Sequence, residues 1–518
     1  MADDDPAWLT SVQGRGRCAV AAKALPPGSV VTRFSGRPYA SCPLPSQRER
    51  LCAYCLRSAG TKKLARCSKC KWAHYCGAAC QRGDWESHKH ECRVLATGKL
   101  DGLADAPAAD VLLAGRCLRR RQANSQPGDD DACFDALEAA DRLSESDRAL
   151  GALAASFGGL LPPGDSPDAA ADAAAHLIAK FSRNNFGVLN EMLTVVGAGC
   201  YPPAALLNHS CAPNCVLAFD GAQLEIRTLV HVDAGAELTH SYVDLCLCTS
   251  ERRATLRERY GFECRCERCN GGLRSADGHN VDELLENRIE SDQTGDKERV
   301  EALRRSAALL RKASVQEDDG EELQLLRSAL ALRRHHCHPL STMAYEAECA
   351  TLTCALAVGD LPTALECCRQ AVAFLETALS HVPSHPLLAL QRFTLSDLEL
   401  ACANHTSDDD AQKSTAAPEG DDDGTADALC AVCLDKGGRG EVQGEVKGGA
   451  SALSASVGAG ARGSAKDGRA RALEVMRACA EAIEISSSTH SSLRTIAKER
   501  LQDLRALAST SGGGGVAV

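Results

Sequence analysis

The chain is poor in aromatic residues and methionine and contains no long apolar run. Phe, Trp and Tyr make up 4% of its 518 residues, and there are four methionines. A core drawn from this composition is built largely from Leu, Val and Ala. No stretch approaches the ~18 consecutive apolar residues that a membrane span needs, so none is expected. The first residues, Met1-Ala-Asp-Asp-Asp-Pro6, are acidic and lack an apolar segment, so a secretory leader is not expected either. Cysteine, by contrast, is abundant. Twenty-eight thiols without such a leader point to a reducing compartment and to metal binding rather than disulfides.

The hydrophobic share of 44% and charged share of 25% are those of a soluble globular protein. Its length allows two or three domains, each with its own core. Charge is uneven. Between Arg48 and Arg93 there are eleven Lys/Arg against four Asp/Glu, a balance of +7. That leaves −18 on the rest of a chain whose net charge is −11. A basic module on an acidic body suits an acidic or nucleic-acid partner. Lysines and arginines balancing metal-bound thiolates explain the same numbers.

That basic stretch carries explicit ligand spacing: Cys52-x2-Cys55, Cys67-x2-Cys70, Cys76-x3-Cys80 and His88-x3-Cys92. Eight N/S donors make two tetrahedral zinc sites. The order suggests interleaving, with Cys52, Cys55, Cys76 and Cys80 in one site and Cys67, Cys70, His88 and Cys92 in the other. Some forty residues here have hardly any apolar core, so metal must supply the folding free energy, roughly 10–16 kcal/mol for structural zinc. With no coordination position left for water, both sites are structural. Farther on, Cys264-x-Cys266-x2-Cys269 falls one thiol short of a tetrahedral site.

Elsewhere the motifs are irregular. Gly14-Arg15-Gly16, preceded by Gln13, leads into an apolar segment and the turn Pro27-Gly28, with Ser29-Val-Val31 as a following strand. Such glycines let a backbone approach a ligand closely, though a Gly-x-Gly is often only a turn. Tyr201-Pro-Pro-Ala-Ala-Leu-Leu-Asn-His-Ser-Cys-Ala-Pro-Asn-Cys215 delivers Asn208 and His209 side by side, then turns into an apolar strand, Val216 to Phe219. Leu238-Thr-His-Ser-Tyr242 ends another strand on a tyrosine. Taken singly, these fit a loop with a buried Asn-His pair and a packing tyrosine.

Jointly, Asn-His-Ser-Cys-x-Pro-Asn and Glu237-Leu-Thr-x-x-Tyr242 resemble the SET-domain core of protein lysine methyltransferases. The cysteine-rich stretch resembles the MYND zinc finger, including Tyr75 before Cys76 and Trp85 before His88. The combination, over roughly residues 10–275, resembles the SET-and-MYND family. The resemblance implies an α+β fold: a β-rich SET core with an inserted MYND finger, a helical SET insertion, a zinc-bound post-SET segment and an all-α tetratricopeptide-like C-terminal domain. The expected boundaries are 1–50 and 181–248 for the SET core, 51–93 for the finger and 94–180 for the insertion. Post-SET occupies 249–275, and the C-terminal helices 276–404 and 470–510, around a disordered insertion at 405–469.

Family likeness also implies chemistry. S-adenosylmethionine would be held by Gln13, Gly14, Arg15, Gly16, Asn184, Asn208, His209, Tyr242 and Phe262. Asn184 fits a turn cap equally well, and Phe262 a core position. The segment of Asn208 and His209 would thread through a loop closed by the later strand. Cys211 would complete a third zinc site with Cys264, Cys266 and Cys269, giving three Zn2+ in all. Tyr242 would be the catalytic residue, orienting a substrate lysine. At neutral pH the neutral amine costs roughly 4.6 kcal/mol. Desolvation lowers that cost, and positioning supplies ~7–11 kcal/mol.

The remaining chain is mainly helical. Val111–Leu118 has helical spacing, with loops expected at Gln126–Asp131 and around Pro162. Ser250 reads as the N-cap of a helix to Tyr260, without a capping box because Arg253 stands at its third position. Small residues around Gly359-Asp360 mark a tetratricopeptide-like turn, and helices are expected near 321–335, 341–357, 361–381, 386–404, 470–486 and 490–508. Asp triplets and Gly/Ala/Ser between Asp408 and Arg469 read as disordered, and Cys430-x2-Cys433 has no partner pair.

The reading that results is an S-adenosylmethionine-dependent protein-lysine N-methyltransferase acting on histone or non-histone proteins. The alternative is a non-catalytic zinc-stabilised adaptor or transcriptional co-regulator binding peptides through its finger and helices. The expected partners are a protein substrate with a target lysine and peptides at the finger. Nucleic acid is not expected as the primary partner, nor a membrane. A monomer in cytoplasm and nucleus is expected.

Overall fold

The structure, a computed structural model, describes residues 7–12, 16–60, 62–123, 128–137, 142–160, 166–275, 278–286, 296–411 and 465–510. It divides into two compact units. The first comprises Met1–Tyr242, Leu256–Phe262 and Ser486–Ser491; the second comprises Val243–Thr255, Glu263–Ile485 and Ser492–Val518.

In the first unit, β1 (Ala7–Val12) and β2 (Gly16–Ala21) form an antiparallel hairpin in which Val12 faces Gly16. The expected strand at Ser29–Val31 reduces to one bridge, Val30 to Arg227, followed by a 3-10 turn at Thr32–Phe34. Next come β3 (Ala40–Pro43), the short pair β4 (Ala65–Arg66) and β5 (His74–Tyr75), and helix α1 (Ala78–Leu95). Helices α2 (Asp105–Ala123), α3 (Asp129–Asp135), α4 (Glu145–Ala155) and α5 (Pro167–Asn184) follow. The loop expected at Gln126–Asp131 is thus partly helix. Asp129, Asp130 and Asp131 fill the first turn of α3, where carboxylates favour the positive end of the helix dipole. The Gln126 end of that loop and the residues around Pro162 lie outside the described residues.

Strands β6 (Asn185–Leu189) and β7 (Val195–Cys200) join β3 in a sheet of order β3-β7-β6. After a 3-10 turn at Ala204–Leu206 come β8 (Asn208–His209) and the hairpin β9 (Cys215–Asp220) and β10 (Gln223–Thr228). The strand expected over Leu238–Tyr242 shortens to β11 (Thr239–His240), which pairs with β8 in parallel. Alternation along β10 buries Leu224 and Ile226 beside Leu207, Cys215 and Leu238 in one core.

The β9–β10 turn also carries the cysteine-rich finger. Gly221 adopts φ +57°, and a Cβ there would stand 2.2 Å from the Cys55 carbonyl oxygen. Its neighbour Ala222 donates its N–H to that same oxygen at 2.8 Å. Arg57 closes a two-pronged pair on Asp220, at 3.0 and 2.5 Å. Only glycine allows both the backbone angle and the approach.

Helix α6 (Thr249–Tyr260) starts one residue before the expected cap, so Ser250 lies inside it. Within the second unit, α7 (Val281–Leu285) brings Asp282 onto two buried guanidiniums: Arg252, at 2.9 and 3.0 Å, and Arg268, at 3.1 Å. Helix α8 (Asp296–Ala313) was not among the expected helices, because charged residues crowd its first two turns and blur the apolar stripe. The others follow expectation closely: α9 (Asp319–His336), α10 (Thr342–Ala357), α11 (Leu361–Ala378), α12 (Pro386–Ala411), α13 (Ala465–Ser486) and α14 (Ser492–Thr510). At the turn before α11, Gly359 takes φ +75° and Asp360 caps the helix through the Thr363 N–H at 3.3 Å. Residues 405–411 and 465–469, at the two ends of the insertion expected to be disordered, are helical. The insertion's remainder, with Cys430 and Cys433, lies outside the described residues, as does the Gly-rich tail.

Two outcomes follow. Gly221→Ala should lose about 1–3 kcal/mol from the backbone angle alone, and more from the contact with Cys55, read as a lower urea midpoint. Burial raises the Asp282 pKa, but Arg252 and Arg268 lower it further, so it sits below the ordinary aspartate value. The stabilisation is therefore present above that ordinary value and is lost as pH falls below it. Asp282→Asn should cost about 3–5 kcal/mol at pH 7 and flatten the acid limb of a stability–pH profile.

Candidate active site and metal centres

Donor atoms of Cys52, Cys55, Cys76 and Cys80 lie within 4.8 Å of one another, as do those of Cys67, Cys70, His88 and Cys92. The separations test the fit. Zinc–sulfur and zinc–nitrogen bond lengths imply tetrahedron edges of about 3.8 Å between sulfurs and about 3.6 Å from sulfur to nitrogen. The structure has Cys55 Sγ to Cys76 Sγ at 3.6 Å and Cys67 Sγ to Cys92 Sγ at 3.7 Å. His88 Nε2 lies 3.4 Å from Cys67 Sγ and 3.7 Å from Cys70 Sγ. Both groups fit zinc.

Local backbone explains the pairing. After each Cys-x2-Cys the next residue is left-handed, Leu56 at φ 56° and Lys71 at φ 59°. Each returns its N–H to the first cysteine's carbonyl at 2.9 Å, closing the same knuckle twice. Helix α1 supplies Cys80, His88 and Cys92 and is held to α2 by buried charge. Arg116 donates to both oxygens of Glu91, at 2.9 and 2.7 Å, and lies 3.2 Å from Asp84. Arg119 adds a bond to Glu91 at 2.8 Å. In the second unit, Cys264, Cys266 and Cys269 also bring their thiols within 4.8 Å of one another.

Around Tyr242 the first unit builds a different site. The Tyr242 N–H donates to His209 Nδ1 at 2.9 Å, which puts the ring proton on Nε2, 3.2 Å from Cys211 Sγ. The Tyr242 hydroxyl donates to the Leu207 carbonyl at 2.5 Å. Rings surround it, with centroids of Tyr260 at 4.8 Å, His240 at 4.9 Å and His209 at 5.2 Å. Phe186 lies 6.1 Å from His240, and Phe262, 37% exposed, lies 6.1 Å from His209.

Asparagine side chains fasten this site. Asn208 Nδ2 donates to the Arg17 carbonyl at 2.8 Å and to Glu237 at 2.9 Å. Asn214 donates to the Glu237 carbonyl at 2.8 Å and accepts the Thr239 N–H at 2.9 Å. Asn184 ends α5, buried, with its amide on the Lys180 carbonyl at 2.8 Å. Gly16 has φ +70° and open space on its Cβ side, whereas Gln13, Gly14 and Arg15 lie outside the described residues. Phe186, His240 and Tyr260 are not among the site residues expected from the sequence, and Asn214 and Glu237 stand in the expected motifs without an assigned role. The signal for His240 was its spacing, since alternation puts residues 238, 240 and 242 on one face.

The 1290 Å³ cleft of this unit lies elsewhere. It is lined by Arg33, Arg37, Tyr54, Arg57 and Arg120 among others, and not by Asn208, His209 or Tyr242. Several of its cations are already paired, Arg57 with Asp220, Arg120 with Asp130 and Lys89 with Glu86. Its size therefore says little about where chemistry occurs.

The MYND finger family matches residues 52–92. Histone-lysine N-methyltransferase SMYD3 of Mus musculus is 32% identical over 285 residues, 54% of this chain and 64% of that protein. The Homo sapiens protein of that name is 33% identical over the same shares, and N-lysine methyltransferase SMYD2-A of Danio rerio is 33% identical over 49% of this chain and 58% of its own. The chain is thus similar to SET-and-MYND proteins, both in its finger and in its match to these methyltransferases. Its match spans somewhat less than two thirds of the length of these relatives. No helix among the described residues is long and apolar enough to cross a membrane.

For the finger, Cys67→Ser should lower zinc measured by atomic emission by one ion per chain. It should also open residues 52–92 to limited proteolysis, because each group holds part of the other's loop.

Proposed function

We propose that this chain is a SET-and-MYND protein and an S-adenosylmethionine-dependent protein-lysine N-methyltransferase. The observation that carries this reading is the ring cluster around Tyr242, stapled by His209 and the paired β8 and β11. Aromatic faces hold an alkylammonium by cation–π attraction and exclude water from it. A desolvated ammonium gives up its proton more readily, which is the condition for nucleophilic attack. The names of the relatives point the same way and do not favour the adaptor reading.

Bound S-adenosylmethionine supplies an electrophilic methyl group on a sulfonium. In this reading Tyr242 orients the lysine amine. Its hydroxyl proton is donated to the Leu207 carbonyl, which fixes where the phenol oxygen stands. Asn208 spends its amide on Arg17 and Glu237, so its segment grips the cofactor through main chain. Phe262 offers a half-exposed face to adenine, Gly16 an open backbone, and Asn184 a buried amide at the end of α5. Gln13, Gly14 and Arg15 complete the cofactor set by family likeness alone.

The reading extends to the architecture: a SET core, a post-SET segment and a tetratricopeptide-like helical domain. Three Zn2+ belong to it, with Cys211 as fourth donor to Cys264, Cys266 and Cys269. The His209 Nε2–H aimed at Cys211 Sγ supports a thiolate at that position. Partners are a protein carrying the target lysine, and peptides at the finger, with the protein working as a monomer in cytoplasm and nucleus.

A peptide array with labelled S-adenosylmethionine tests the activity, and transfer to lysine-containing peptides alone is expected. Tyr242→Phe should lower the rate about 10–100-fold, the worth of a hydrogen bond to a charged group. Zinc content and S-adenosylmethionine affinity should hold. An unchanged rate removes Tyr242 from the chemistry.

A further inference from the structure

His240 has no assigned part in the site, yet its chemistry is unusual for its place. Its ring stands between Tyr242, at 4.9 Å, and Phe186, at 6.1 Å, and is 5% exposed. Nδ1 lies 3.1 Å from the Ser241 carbonyl, so it carries the proton and leaves a lone pair on Nε2. Nε2 is buried and has no hydrogen-bond partner among the described residues. Burial pushes the imidazole down to about 4, so the ring is neutral at pH 7.

A buried acceptor without a donor is costly, and an apolar side chain of similar size would avoid that cost. His240 therefore calls for a donor arriving with the substrate. Phe186, Tyr242 and Tyr260 suit the alkyl and cationic parts of an amine, but none offers a nitrogen lone pair. Nε2 does. We propose that His240 is a specificity-determining residue, whose Nε2 accepts a hydrogen bond from an N–H of the substrate lysine amine and so favours amines that still carry one. This rests on the methyl-transfer reading and adds the degree of methylation to it.

In each transfer the neutral amine's lone pair forms the new N–C bond. The C–S bond of the sulfonium breaks, its electron pair stays on sulfur, and the product ammonium releases a proton to solvent. His240 is not the base, because taking a proton from an ammonium of pKa ~10.4 onto this imidazole is uphill by roughly a millionfold. It acts as an acceptor only. Unmethylated and monomethylated lysine keep an N–H for Nε2 after the lone pair is aimed at the methyl. The neutral dimethylated amine has none, so the third transfer proceeds without this bond.

The test compares products by mass spectrometry on the best-methylated array peptide, using full-length protein. The wild type should stop at mono- or dimethyllysine. His240→Leu should raise the share of trimethyllysine about tenfold, and His240→Gln, which restores an acceptor, should return part of the preference. A wild type that proceeds to trimethyllysine without slowing overturns the inference, as does a His240→Leu product pattern equal to the wild type's. Equal loss of rate in both variants with an unchanged pattern assigns His240 a structural role and also overturns it. If neither variant folds, imidazole 15N shifts of wild-type protein decide. Nε2 should move on adding the unmethylated peptide and stay in place with the trimethylated one, and equal movement with both refutes the bond. A wild type that transfers no methyl group to any peptide refutes the enzyme reading itself, a failure distinct from an active enzyme indifferent to residue 240.

Discussion

Two residues of parallel pairing, Asn208-His209 against Thr239-His240, hold the candidate site together. So short a ladder has no stability of its own, because strands need neighbours and a buried face to persist. Side chains compensate. Asn208 reaches Arg17 and Glu237, and Asn214 binds both the Glu237 carbonyl and the Thr239 N–H. Four hydrogen bonds among residues 17, 208, 214, 237 and 239 thus replace the missing ladder. The motif's asparagines are hence fasteners, and Tyr242 inherits its position from them through His209.

Metal ligation and buried charge add to apolar packing in the finger, whose Ala53, Leu64, Trp72, Ala73 and Tyr75 belong to the unit's core rather than leaving it without one. Residues 52–92 pair only two residues per strand, and their knuckles hold Leu56 and Lys71 in left-handed conformations. Neither would persist without four donors drawn to one point. The finger is then fixed from two sides. Gly221 and Ala222 press against the Cys55 carbonyl, while Arg116 joins Glu91 and Asp84 of α1 to α2. Burying such charges is worthwhile only when each has partners, and Glu91 has two guanidiniums.

Legibility in the sequence followed the kind of signal. Ligand spacing is local, so the two finger groups could be read directly from Cys52 to Cys92. Long helices were legible to within a few residues because periodicity persists over many turns, as in Thr342–Ala357. Highly charged α8 escaped notice, and α3 was read as loop because its aspartates are both turn formers and helix starters. Strand ends were overstated. Ser29–Val31 and Leu238–Tyr242 have β composition, but how many of their residues pair depends on partners far away in the chain. Tyr260 and Phe186 went unseen for a similar reason, since only the tertiary fold brings them near Tyr242 and His240.

The scarcity of rings takes on meaning beside their placement. In a chain with 4% aromatics, Phe186, Tyr242, Tyr260 and Phe262 gather with two histidines around one short ladder. The neighbouring core is built from Leu207, Leu224, Ile226 and Leu238 together with Phe34 and Tyr201, and Phe186 packs against it. Rings differ from these aliphatic groups in carrying a negative face, which attracts cations, and an imidazole adds a directional lone pair. A surface meant only to bind another apolar surface gains nothing from either property. On the proposed methyl-transfer reading, these rings and the imidazole suit a cationic, narrow ligand with an N–H to donate.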